Sequence, residues 1–77
     1  MKAEYKTDNG TWQFNIGIYL GEPGIDIVCY YAGLNKAWLQ PIINGKIVWR
    51  DGADEFLNLT PEIIEFAEKL VKNKAFI

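Results

Sequence analysis

The chain has no histidine and no serine, and its only cysteine is Cys29. Each absence removes a chemistry. Without histidine or serine there is no Ser–His or Cys–His nucleophile pair. A single cysteine cannot close a disulfide within the chain, and four nitrogen or sulfur ligands for a structural zinc cannot be assembled. No glycine spacing matches a phosphate loop or a dinucleotide fingerprint. Long apolar runs are missing too. The longest, Ile27 to Ala32, falls far short of the roughly 18 residues that cross a bilayer. The opening residues, Met1-Lys2-Ala3-Glu4-Tyr5-Lys6, carry no apolar stretch of the signal-peptide kind. The expectation is a non-enzymatic protein with no catalytic residue, no metal or other cofactor and no membrane association. A lone thiol suits the reducing cytoplasm.

What is present is compact and greasy. The 77 residues are 49% hydrophobic, 14% aromatic and 23% charged, which excludes a disordered tail or a charge-extended linker and predicts one small domain over 1–77. The net charge of −2 neither draws polyanions strongly nor mimics them. A chain of this size is expected to keep roughly 4,800 Å² of about 12,800 Å² accessible after folding. So little burial calls for dense aromatic packing, for association with a partner, or for both.

Strand patterning fills the first two thirds, with strands expected at about 2–7, 11–20, 25–32, 37–43 and 46–50. Trp12, Phe14, Ile16, Ile18 and Leu20 alternate with Gln13, Asn15, Gly17 and Tyr19, so they point to one face. Asn9-Gly10 reads as a two-residue type I′ turn, which sets Tyr5 opposite Phe14 and Ala3 opposite Ile16. With either Glu22-Pro23 or Pro23-Gly24 at the next tip, Ile25, Ile27, Cys29 and Tyr31 join the Trp12 face. Gly33-Leu34-Asn35-Lys36 reads as a connection. A second Asn-Gly turn, Asn44-Gly45, pairs Ile42 with Ile47, Gln40 with Trp49 and Pro41 with Val48, and Pro41 marks an edge or a bulge.

Asp51 to Asn58 reads as an acidic loop. Its carboxylates Asp51, Asp54 and Glu55 lack calcium-loop spacing and are read as a solvated connection. A helix follows over 61–74. Thr60 caps it, Pro61 takes the first position, Leu59 and Ile64 form a staple, and Ile63, Ile64, Phe66, Ala67, Leu70 and Val71 make one stripe. Glu65–Lys69 and Glu68–Lys72 stand in the favourable order on the other side. The tail Ala75-Phe76-Ile77 is apolar enough to fold back. The fold class is therefore α+β: an antiparallel meander of about five strands, flat or curled toward a barrel, with one C-terminal helix on one face.

The candidate sites are aromatic. Cys29 falls mid-strand on the core face, where a thiol is inert. Tyr19, Val28 and Tyr30 stand on the uncovered face beside Gly17, whose missing side chain leaves room for a ring. In the 37–50 hairpin, Trp38, Gln40, Ile42, Ile47 and Trp49 face one way. Leu39, Pro41, Ile43 and Val48 face the other, with Lys46 and Arg50. One helix cannot cover both, so the sheet curls, the chain dimerises, or a partner protein supplies the cover. Aromatic and arginine side chains anchor interfaces, which selects Tyr19, Tyr30, Trp38, Trp49 and Arg50 as partner-binding residues, and Lys46 on the same hairpin face as Arg50 is taken with them.

The expected function is a binding module acting by protein–protein contact. Inhibitors and accessory subunits are of this kind, including those that bacteriophages direct at host machinery. Two alternatives stand beside it. One is a self-associating structural protein. The other is a single-strand nucleic-acid binder that stacks bases on aromatics interleaved with Lys36, Lys46 and Arg50. A strand meander followed by a capped helix resembles in outline the Whirly and Pur-type single-strand binders, although the acidic balance departs from that group.

Overall fold

The computed structural model describes residues 1–74, so the tail Ala75-Phe76-Ile77 lies outside the described residues. Five antiparallel strands run in sequence order: β1 (Lys2–Lys6), β2 (Gly10–Tyr19), β3 (Glu22–Tyr31), β4 (Leu34–Ile43) and β5 (Lys46–Ile47). A one-turn helix, α1 (Ala53–Phe56), and a longer one, α2 (Pro61–Lys74), follow. The sheet curls into a half-barrel, and the expected α+β meander is what the chain forms. Its accessible area is 5160 Å², slightly above the size expectation. The excess fits a body 36 Å long and 21 by 18 Å across, with protruding hairpins.

Turn chemistry places the strand ends differently from the sequence reading. Leu20-Gly21, Ala32-Gly33 and Asn44-Gly45 all hold positive φ at both positions, making three two-residue turns of one type. The second tip is thus Leu20-Gly21, with Tyr19 opposite Glu22, and neither Glu22-Pro23 nor Pro23-Gly24 turns the chain. The third is Ala32-Gly33, so Leu34 to Lys36 belong to β4. Asn44-Gly45 turns as expected and sets Ile42 opposite Ile47.

Asn9-Gly10 does not turn as expected. Neither residue has positive φ, and the Thr7 hydroxyl accepts the Asn9 and Gly10 N–H groups at 3.1 and 3.2 Å, closing a wider loop. Tyr5 therefore pairs with Trp12 and Ala3 with Phe14, two residues from the expected register. A shift of two preserves the face. Gly10 is required for a different reason: a Cβ there would lie 2.5 Å from the Tyr30 carbonyl oxygen.

The inner face carries Trp12, Phe14, Ile16, Ile25, Ile27 and Cys29, all buried, under Ile63, Ala67 and Val71 of α2. Phe66 fixes the helix across the sheet, edge-on to Tyr5 at 5.1 Å and tilted to Phe14 at 5.6 Å. The Thr60 hydroxyl accepts the Ile63 N–H at 3.3 Å, capping the helix as expected. Lys69 meets Glu65 at 3.6 Å, whereas Glu68 instead accepts the Trp49 indole N–H at 3.1 Å.

The acidic segment is not merely a loop. Ala53 and Leu57 are wholly buried in the core, and the Leu57 carbonyl accepts the Trp12 indole N–H at 2.7 Å. α1 stops in a Schellman arrangement: Asn58 is left-handed, its N–H reaches the Glu55 carbonyl, and the Leu59 N–H reaches that of Asp54. Acidic composition hid two apolar residues spaced one turn apart.

Pro41 decides where β5 ends. The Val48 N–H donates to the Pro41 carbonyl at 2.8 Å, but proline has no N–H with which to return the bond. The ladder stops at Ile47, so the expected strand to Arg50 and the pairing of Gln40 with Trp49 do not form. The Gln40 side-chain oxygen accepts the Arg50 N–H at 2.7 Å instead.

Ile18 and Leu20 are a further correction. Both belong to the inward alternation, yet they are 64% and 103% exposed. A ten-residue strand extends roughly 33 Å, while a fourteen-residue helix covers about 21 Å. The β2–β3 tip overruns its cover.

Candidate binding surface

The outer face of the sheet has no helix on it among the described residues. At the end holding the Leu20-Gly21 and Asn44-Gly45 turns, Tyr19, Leu39, Pro41, Ile43 and Val48 form an apolar floor. The register creates it: Gly24 pairs with Pro41 on β4, Tyr19 sits near the tip of β2, and Val48 bonds to Pro41. Gly24 is where the floor closes. A Cβ there would stand 3.1 Å from a Leu39 methyl and 3.2 Å from the Tyr19 ring, so the two side chains meet over bare backbone. Ile43 is 56% exposed and Val48 45% exposed beside them.

Tyr19 itself fills the space left by Gly17. Its ring lies 3.7 Å from where a Gly17 Cβ would be, and its hydroxyl donates to the Asn15 carbonyl at 2.7 Å. Burial raises the phenol above its ordinary pKa of 10.0, and the nearby Asp26 charge adds to the rise. The hydroxyl bond to Asn15 and the bare backbone of Gly17 and Gly24 together lay the ring against its own sheet. Such a ring is floor, with its face committed to its own chain.

Of the residues selected from sequence, Tyr19, Lys46 and Arg50 come together around this floor. Lys46 is exposed at the start of β5, paired with Ile43, and Arg50 reaches across the β4 edge to donate from Nε to the Leu39 carbonyl at 3.0 Å. Tyr30 is on the same face but six residues along β3 from Gly24, roughly 20 Å away. Trp38 and Trp49 face inward, where both pack against the core. Trp38 meets Phe56 edge-on at 5.6 Å, and Lys36 lies 5.1 Å from the centroid of the same ring. Sequence selection by residue type favoured the tryptophans, although alternation already put Leu39, Pro41, Ile43 and Val48 on the opposite face from them.

Beside the floor the outer face turns polar. An open groove of about 540 Å³ is lined by Lys2, Glu4, Gln13, Asn15, Asp26 and Val28, and within it the Gln13 amide donates to Glu4 at 3.2 Å. Among the described residues no three metal-ligating side chains converge, and no helix is long and apolar enough to cross a membrane. Cys29 is buried with the Asn58 amide 3.8 Å from its sulfur. Comparison with protein-family models, curated proteins and solved structures finds no match to this chain.

Proposed function

We propose that the chain is a non-enzymatic binding module that acts as an inhibitor or accessory protein by docking a partner protein on the outer-face floor. The observation that carries this reading is the pairing of exposed Ile43 and Val48 with a rigid, half-buried base of Tyr19, Leu39 and Pro41. Water-exposed apolar groups fixed on a strand lose little conformational freedom on docking, so their burial is converted efficiently into affinity. Arg50 and Lys46 supply a polar, solvent-accessible rim of the kind that borders an apolar interface core. The buried single thiol Cys29 suits action in the cytoplasm. Base stacking has less support, because Tyr19 lies on its own backbone and both hairpin tryptophans face the core.

The test is site-specific photocrosslinking in the cells that make the protein. A benzoylphenylalanine at Ile43 should yield one discrete adduct, and the same group at Gln13 should yield none. Adding Val48→Asp should abolish the Ile43 adduct while leaving the circular dichroism spectrum unchanged. Equal labelling from both positions, or an adduct indifferent to Val48→Asp, overturns the reading.

A further inference from the structure

We infer that the open edge of β4 pairs with the same edge of a second copy of this chain, antiparallel across a two-fold axis at Ala37. Odd-numbered residues of β4 turn their backbone groups away from β3, as the Pro41–Val48 and Leu39–Arg50 bonds show. Past those two anchors the chain leaves the edge. The N–H and C=O of Asn35 and Ala37, and the N–H of Leu39, have no partner among the described residues. Donors and acceptors alternating along an uncovered strand are a template for another strand.

The side chains make that strand a second copy. With Ala37 opposite its own equivalent, Asn35 falls opposite Leu39 and Lys36 falls opposite Trp38. No like charges meet, and the Lys36 ammonium, already beside the Phe56 ring, gains an aromatic neighbour from the copy. The exposed Phe56 and the half-buried Trp38 of each copy are brought edge to edge on the inner face. Moving the axis by one residue to Lys36 would set ammonium against ammonium. The β1 edge contrasts with this: in its longest self-pairing Lys2 meets Lys6 and Glu4 meets Glu4, so like charges guard it.

Sedimentation of the full chain should give a mass that rises with concentration from 8.8 kDa toward twice that value. Ala37→Asp and Ala37→Lys, at an exposed position, should each remain monomeric, and an equimolar mixture of the two should recover the dimer. Ala37→Pro removes only an N–H that points away from β3, and it should also stay monomeric. Amide exchange in the wild-type chain needs no substitution: protection at Asn35, Ala37 and Leu39 should rise about tenfold or more with concentration, with none gained at Lys2, Glu4 or Lys6. A wild-type mass fixed at 8.8 kDa overturns the inference, as do variants that dimerise like wild type. Val48→Asp should leave the dimer intact, so this inference and the docking of a partner protein fail separately.

Discussion

Leu20→Asn should make the protein more stable. Leu20 occupies the first position of the β2–β3 turn at φ +52 and is fully exposed. For an L-residue with a Cβ the left-handed region costs about 1–2 kcal/mol, and asparagine escapes much of that cost through local hydrogen bonding. The side chain buries nothing, so its removal loses no packing. A gain of about 1 kcal/mol follows, which in a domain of this size raises the melting temperature by roughly 4–8 °C. Asn44 holds the same position of the β4–β5 turn at φ +54 and provides the reciprocal experiment. Asn44→Leu should lower the melting temperature by a similar amount. Thermal scans and urea titrations of both variants, followed by circular dichroism, measure the effect. An unchanged or lower melting temperature for Leu20→Asn would refute the reasoning, because it would mean that the leucine makes a contact the folded chain needs. Leu20 lies at the same end as Ile43 and Val48, so the stabilised variant should also give a weaker photocrosslinked adduct from Ile43.

Other perturbations separate steric, polar and titration effects. Gly10→Ala should destabilise by about 1–3 kcal/mol in urea titration, because its Cβ would meet the Tyr30 carbonyl at 2.5 Å, while Gly17→Ala gains only an ordinary contact with Tyr19 at 3.7 Å and should cost far less. Gln40 is fully buried with a side-chain nitrogen that finds no partner among the described residues. Gln40→Met should therefore be neutral or stabilising, since relief of an orphaned donor worth about 1–3 kcal/mol offsets the lost acceptor for Arg50; a loss above about 2 kcal/mol in urea titration would contradict this. The raised Tyr19 pKa means the unfolded chain releases that proton first as pH rises. The stabilisation it reports is present below pH 10 and is lost as pH climbs through the higher folded value. Melting temperatures between pH 8 and pH 11 should fall less steeply in Tyr19→Phe than in wild type.

The proposed surface and the proposed dimer edge use different chemistry. The floor around Gly24 offers apolar side chains, and the edge at Ala37 offers unpaired backbone. β4 supplies both because it is the last full-length strand, and Pro41 prevents β5 from continuing along it. One proline thus ends the β4–β5 ladder and leaves the rest of that edge open.

Alternation in the sequence was enough to establish the antiparallel meander, the face on which Trp12, Phe14, Ile16, Ile25, Ile27 and Cys29 are buried, and the capped helix over 61–74. These depend on local period and on side chains next to one another in the chain, and faces survive register errors of two residues, as at Tyr5. Tertiary structure alone decided the rest. It showed that Thr7 closes the first loop, that Ala53 and Leu57 are buried in the core with the Leu57 carbonyl on the Trp12 indole, and that the helix ends short of Ile18 and Leu20. It also laid the Tyr19 ring on Gly17 and Gly24. Each of these is a matter of length or of distance between segments far apart in the chain, and neither composition nor period encodes how far one element reaches over another.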